Sequence, residues 1–426
     1  MKTLTVVVPV VASLLVAPLS PGGSDARILV ATGTFAGDGT LVAMERATPW
    51  NVVTVATLDS MDAAVQSFNG LIFVVEPDTD RVRVFDGTLA EIRSFSVGEG
   101  TRPRDILGVA RNRAYVTRAN STHLYRVDPQ TGVGADVVDL SGLAGHDGIP
   151  DMERMATDGS RLFVQLRRFA DGLPTADGAL AVIDLETETL IDAVPATPEI
   201  DAIELTGPAP RLRMHVDPGA AFLLVSATDG NHLSLGGGIE FIDLASLSSA
   251  GLLLNEMELA ALGGFAMTGP AEGYFVFHTD IVPSNHLQTF TIPGGAELGP
   301  EIVFDFGAYL DALLFDSDTS LLYMPSAAPG MYVVDTTTET ALTKEPIPLP
   351  AFPFDQTIGP VGHRYDLTGD DVVDFVDLLT LIAAWGACPT PCPPTCVADI
   401  AAAGGPGADC VVDFGDLLLL LANWGS

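Results

Sequence analysis

The chain has 426 residues, a length that allows two or three domains. It is 47% hydrophobic, so it can bury a large core and is not globally disordered. Asp and Glu number 55 against 20 Lys and Arg, a formal net charge of −35. Such a field repels nucleic acid and anionic membrane surfaces and attracts divalent cations.

Residues 1–26 read as an export signal. Lys2 supplies a minimal positive start, residues 4–16 form a mainly apolar run broken once by Pro9, and Ser24-Asp25-Ala26 offers a small-x-small cleavage site. The apolar run falls short of the ~20 residues a membrane-spanning helix needs, and no later segment qualifies. The expectation is a secreted protein, extracellular or at the cell surface, with no membrane span once the signal is removed.

From residue 27 to 343 one pattern recurs. A short apolar β-type run is followed by a polar turn and a second run, often closed by Asp. The first runs lie at 28–30, 71–75, 114–116, 162–164, 222–225, 274–277 and 321–324. The second runs end at Asp86, Asp128, Asp184, Asp243 and Asp335. An Asp after a strand starts a turn, because its carboxylate accepts a hydrogen bond from backbone two residues on. Units of 40–60 residues with about four short strands each indicate a β-propeller, and seven units lie within the closed-ring range. Longer insertions at 169–177 and 228–238 are expected as loops on one face.

The segment at 112–117 (NRAYVT), followed by 124–128 (LYRVD), resembles the YVTN family of seven-bladed propellers. Residues 161–164 and 181–185 are similar. The resemblance covers about 27–343 and implies the fold, not a ligand. The expected fold class is therefore an all-β seven-bladed propeller, followed by a small all-α C-terminal domain.

Propeller sites gather where the innermost strands begin, near the channel mouth. The charged residues before each first run are Asp62, Arg104, Asp105, Asp151, Glu153, Arg213, His215 and Asp311. Converging on the axis, they would hold a polar ligand or form ion pairs that plug the channel. A pocket where Asp105, Glu153, Arg213 and His215 meet would favour an enzyme; mutual ion pairs would not. The loop at 145–151 sets His146 beside Asp147 and Asp151, and reads first as a Gly/Pro-rich turn. No nucleophile elbow, H-E-x-x-H or P-loop occurs.

Residues 344–364 contain five prolines and read as an extended linker. After Arg364 come nine Asp and no Glu, Lys or Arg. Residues 372–386 (VVDFVDLLTLIAAWG) recur as 411–425 (VVDFGDLLLLLANWG), identical at 11 of 15 positions with an offset of 39. In the register of an EF-hand calcium loop, Asp366, Thr368, Asp370, Val372 (through its carbonyl), Asp374 and Asp377 take positions 1, 3, 5, 7, 9 and 12. The second copy supplies Asp409, Val411, Asp413 and Asp416 at positions 5, 7, 9 and 12. Its positions 1 and 3 fall on Gly405 and Gly407, so the two loops are unequal. Calcium is the expected cofactor. All four cysteines (Cys388, Cys392, Cys396, Cys410) lie in this tail, and an even count in an exported small domain favours disulfides over a zinc site.

Two Asp loops, each followed by one helix, make residues 365–426 resemble a type I dockerin. The resemblance implies a calcium-folded module that binds a cohesin-like or cell-surface partner, often in proteins of polysaccharide breakdown. The positions that carry a Ser/Thr pair in that family are Phe375-Val376 and Phe414-Gly415 here. The expected function is a secreted binding or scaffold protein attached by this tail; a propeller hydrolase or lactonase-like enzyme is the alternative.

Overall fold

The computed structural model describes residues 26–170, 173–174, 176–208, 210–228, 236–259, 261–278, 284–292, 295–296, 302–306, 312–326, 329–359, 367, 373, 375–388, 398, 411–422 and 424. Seven antiparallel sheets of four or five strands follow one another along the chain and form a seven-bladed β-propeller. Each apolar run found in the sequence is the second strand of its blade. The innermost strand is the segment just before it, as in Ala64–Phe68 ahead of Leu71–Glu76, Pro103–Ala110 ahead of Arg113–Arg118, and Met152–Thr157 ahead of Arg161–Leu166.

Those second strands are continuous apolar runs because both their faces are covered. Side chains alternate with period two, so neighbouring residues enter different interfaces. Tyr115 packs toward Leu162 and Val164 of blade four, while Ala114 and Val116 join Phe73 and Val75 of blade two. Leu29 and Ala31 face Val65, Ile72 and Val74 of blade two, whereas Ile28 and Val30 face Tyr323, Met331 and Val333 of blade seven. Seven such clusters fill the gaps between adjacent blades. Each fully buried Leu, Val or Phe contributes about 1.5–3 kcal/mol.

The turns behave as the sequence predicts. Asp86 accepts the Thr88 amide, Asp128 that of Gln130, Asp184 that of Glu186, Asp243 that of Ala245 and Asp335 that of Thr337. Hydrogen bonds from Thr187, Ser246 and Thr337 hold Asp184, Asp243 and Asp335 below the usual carboxylate range. Of the two insertions, the first forms a small hairpin in which Phe169–Ala170 pairs with Leu173–Pro174.

One boundary is corrected. Part of the stretch read as a linker belongs to the propeller. Ile347–Pro348 pairs with Gly330–Asp335 of blade seven. Phe352–Gly359 is the innermost strand of blade one, antiparallel to Arg27–Gly33 from Arg27↔Gly359 to Gly33↔Phe352. The prolines do enforce extended backbone, as the sequence indicates. They stand where strands tolerate them, with Pro353 next to a bulge between Ala31 and Thr32. The sheet order Val52–Leu58, Gly39–Met44, Arg27–Gly33, Phe352–Gly359 thus joins both ends of the propeller in one blade.

In the tail, two helices, Phe375–Ala383 and Phe414–Ala422, follow the two Asp segments. Leu367, Val373, Leu381, Ala398, Val412 and Leu420 form a separate small core. Val411–Val412 pairs with Gly386–Ala387, the residues just after the first helix.

Closure of blade one predicts a sharp dependence on where the chain is cut. A fragment ending at residue 343 leaves the inner edge of Arg27–Gly33 unpaired and should aggregate or melt broadly. A fragment ending at residue 361 should give one cooperative thermal transition. Equal melting of the two fragments by circular dichroism would refute the closure role.

Candidate functional site

The innermost strands deliver charge to the axis through one-residue bulges. Regular alternation would send only one of two neighbouring side chains inward. Register shifts between Pro103 and Asp105, between Met152 and Met155, and between Ala31 and Thr32 opposite Asp355 break that alternation. Arg104 and Asp105 both reach polar partners as a result, and so do Glu153 and Arg154.

Among the described residues, a polar cluster occupies the axis. Asp355 of the closing strand accepts hydrogen bonds from the Val65 amide (2.9 Å), from Arg154 (3.2 Å) and from Arg213 (3.0 Å). Arg213 also donates to the Gln66 side-chain oxygen at 2.9 Å and to the Val65 carbonyl at 2.7 Å. Gln66 donates to Asp105 at 3.0 Å, and Asp105 accepts the Met155 amide at 3.0 Å. Arg154 lies 3.5 Å from Asp105. Asp105 and Asp355 are buried. A space beside it, lined by Arg154, Arg213, Asp355 and Gln356 among others, is about 30 Å³, room for about one water.

The two buried carboxylates are not equivalent. Burial opposes the charge on Asp355, but Arg154 and Arg213 outweigh it and hold the group below the usual carboxylate range. Burial pushes Asp105 up by more than the same two arginines and its hydrogen bonds pull it down.

A second cluster lies at the mouth, where the innermost strands of blades three and four begin. Arg104 bridges Asp62 at 2.6 Å and Glu153 at 3.1 Å, and Arg167 meets Glu153 at 2.8 Å. Burial opposes the Glu153 charge, yet these two arginines hold it below the usual range. Arg167 stacks over Phe169 at 4.1 Å. Above them opens a cavity of about 410 Å³, lined also by Arg102, Asn120, Asp147 and Asp151.

Of the residues predicted from sequence, Asp105 and Arg213 meet on the axis, while Asp62, Arg104, Asp151 and Glu153 line the mouth cavity. His215 stands outside both clusters, half-buried against Phe222, and burial lowers its pKa. Asp105, Glu153, Arg213 and His215 do not meet in one pocket; Asp105 and Arg213 join the ion-paired cluster on the axis, the outcome that does not favour an enzyme. Asp311 lies outside the described residues. Sequence reading missed Gln66, Arg154 and Asp355. Arg154 follows Glu153 directly, and Asp355 sits among the prolines that suggested a linker.

In the tail, Asp366, Thr368, Asp370, Val372, Asp374 and Asp409 lie outside the described residues. Asp377 and Asp416, at loop position 12 of each copy, are both fully buried at the start of their helices. Asp377 accepts the Leu367 amide at 2.7 Å, and Asp416 accepts that of Asp413 at 2.8 Å. Val373 and Val412, at position 8, are buried together, but the Val411–Val412 strand pairs with Gly386–Ala387. The helices and the residues just after them turn matched apolar residues to solvent: Phe375 and Phe414, Leu379 and Leu418, Ile382 and Leu421, Trp385 and Trp424.

The asymmetry of the axial carboxylates predicts opposite outcomes for two isosteric changes. Asp355→Asn leaves Arg154 and Arg213 facing one weak anion and should cost about 3–5 kcal/mol at neutral pH. Asp105→Asn removes a charge that burial disfavours and should cost clearly less. Because the folded pKa of Asp355 is depressed, its contribution is present above the unfolded value near about 4 and is lost as pH falls through the folded value. Denaturant titration of the two variants checks the order, and equal losses would refute it.

No protein-family profile matches the chain, and no curated protein matches it by sequence. Solved structures do. A "putative 6-phosphogluconolactonase" from Bacteroides fragilis superposes with a TM-score of 0.54 at 12% identity, over 80% of this chain and 99% of that one. A second protein so described, from Bacteroides uniformis, gives 0.52 at 10% identity, over 78% and 99%. Kuenenia stuttgartiensis hydrazine synthase gives 0.53 at 14% identity, over 69% and 87%. At these identities the likeness is one of fold, and the fold in common is the β-propeller.

Proposed function

We propose that this is an exported binding or scaffold protein whose propeller presents a ligand or partner surface. A calcium-dependent, dockerin-like tail attaches it to a surface or an extracellular complex. The observation that carries the attachment reading is the matched pair of helices. Each carries a fully buried Asp in its first turn, Asp377 or Asp416, and each exposes three matched apolar positions, with a fourth at the Trp that follows it. Residues 365–426 contain no Lys or Arg, so the tail's own side chains offer no cation to offset those carboxylates. Calcium, which takes six to eight oxygen ligands, fits that donor set. Asp366, Thr368, Asp370, Val372, Asp374 and Asp377 would hold the first ion. Asp409, Val411, Asp413 and Asp416 would form a poorer second site. The ion supplies charge neutralisation and a folded loop. Disulfides among the four cysteines add support to a core this small, and none of the described cysteines is free.

The binding role of the propeller rests on the axial cluster. Asp105, Arg154, Arg213 and Asp355 are committed to one another, which leaves no free acid, base or nucleophile there among the described residues. This favours binding over the hydrolase or lactonase-like alternative. Polysaccharide breakdown remains the setting implied by the dockerin resemblance, with a cohesin-like or cell-surface protein as the partner.

Calorimetric titration of the full chain with calcium tests the tail. Saturable binding is expected, with Kd near the ~10⁻⁴–10⁻³ M of extracellular modules, and with a gain in helix. Asp366→Ala and Asp377→Ala should each abolish the stronger site and leave the propeller transition in place. Absence of heat and of any helix gain would overturn the calcium reading.

A further inference from the structure

The mouth cavity between blades three and four is built around two unlike walls and a neutral floor. The floor is the Asp62–Arg104–Glu153–Arg167 chain, two acids and two bases bound to each other. One wall carries Asp147 and Asp151 from the loop before the innermost strand of blade four. The Asp147 side chain accepts the Ile149 amide at 3.0 Å, and that of Asp151 the Phe169 amide at 2.7 Å. Among the described residues, neither forms an ion pair with a basic side chain. The other wall carries Arg102 and Asn120 from blade three. The Arg102 amide is pinned by Asp80 at 2.8 Å, while its half-exposed guanidinium makes a long ion pair with Asp78 at 4.0 Å. Arg102 and Asp151, one from each wall, sit in left-handed backbone at φ 53° and 52°, conformations that cost energy in non-glycine residues.

We infer that this cavity binds a small zwitterion, an amino acid or short peptide, with its ammonium group on Asp147 and Asp151 and its carboxylate on Arg102. The inference rests on the reading of the propeller as a binding module and names its ligand class. Size agrees: about 410 Å³ lies in the range of about 300–1,000 Å³ typical of small-molecule sites. Charge separates the alternatives. A simple anion would meet four carboxylates, Asp62, Asp147, Asp151 and Glu153. A metal ion would meet three guanidinium groups, and no set of three metal-ligating side chains is assembled among the described residues. A neutral sugar would leave both unlike walls unneutralised. Burial, with Asp147 adding repulsion, pushes Asp151 above the usual carboxylate range, so an ammonium group there relieves an existing cost.

The test uses the full chain and a thermal-shift and calorimetry series of the twenty free amino acids and Gly-Gly. N-acetylglycine and glycine amide serve as charge-deleted controls, and maltose as a neutral probe. At least one zwitterion should raise the melting temperature and bind saturably, and neither charge-deleted control should. Asp151→Asn keeps the bond to Phe169, and Arg102→Asn tolerates the left-handed backbone. Each should weaken binding at least tenfold without lowering the ligand-free melting temperature. The inference is overturned if no zwitterion binds at tens of millimolar, if maltose binds instead, or if both variants bind as well as the parent. None of these failures touches calcium binding by the tail, which is read separately.

Discussion

The pairing of Phe352–Gly359 with Arg27–Gly33 is the contact on which the rest of the propeller depends. A twisted sheet of four short strands has two apolar faces and cannot cover both alone. Arranged in a ring, every blade covers its neighbours, but only if the last gap closes. Here the closing strand also carries Asp355, which reaches the Val65 amide 290 residues away in sequence and gathers Arg154 and Arg213 onto the axis. One strand therefore closes the hydrogen-bonded edge and anchors the polar centre. Contacts of such sequence separation carry a loop-closure cost that local strands do not.

Much of this was legible in the sequence, for a physical reason. A strand covered on both faces must be apolar at successive positions, so runs such as 71–75 and 162–164 stand out from any half-exposed pattern. The Asp that ends the third strand marks the turn, because its carboxylate serves the next amides. What sequence reading lost was the innermost strand of each blade. Its residues face the channel on one side, so it mixes Pro, Arg, Asp and Gly and lacks an apolar run. Phe352–Gly359 was hidden further by its prolines, which signal extended backbone equally well for a spacer and for a strand. The bulges hid the axial partners in another way. Strict alternation assigns Glu153 inward and Arg154 outward, whereas the bulge gives both a polar partner, and only the three-dimensional register reveals that.

The tail shows the opposite balance. Its duplication is plain in the sequence, and the structure sets the two copies in matching roles, with Val373 and Val412 buried together and Asp377 and Asp416 at the head of equivalent helices. The inequality between copies lies in the loops, where Gly405 and Gly407 stand at positions that bear Asp366 and Thr368 in the first. Helix packing can hold both copies to one shape while the loop residues diverge. The fold and the chemistry of this duplication are thus separable.

The charge of −35 takes on a sharper meaning from where the arginines go. Lysine occurs only at Lys2 and Lys344. A guanidinium group can bridge several acceptors in fixed geometry, which suits it to join elements. Arg46 ties blade one to Asp316 of blade seven, Arg113 reaches the Leu185 carbonyl of blade four, and Arg161 reaches that of Leu244 in blade five. Arg104, Arg154 and Arg213 hold the mouth and the axis. Because so many cations are committed inside the ring, the carboxylates left over dominate what solvent meets. The same partition that stabilises the propeller leaves an acidic exterior.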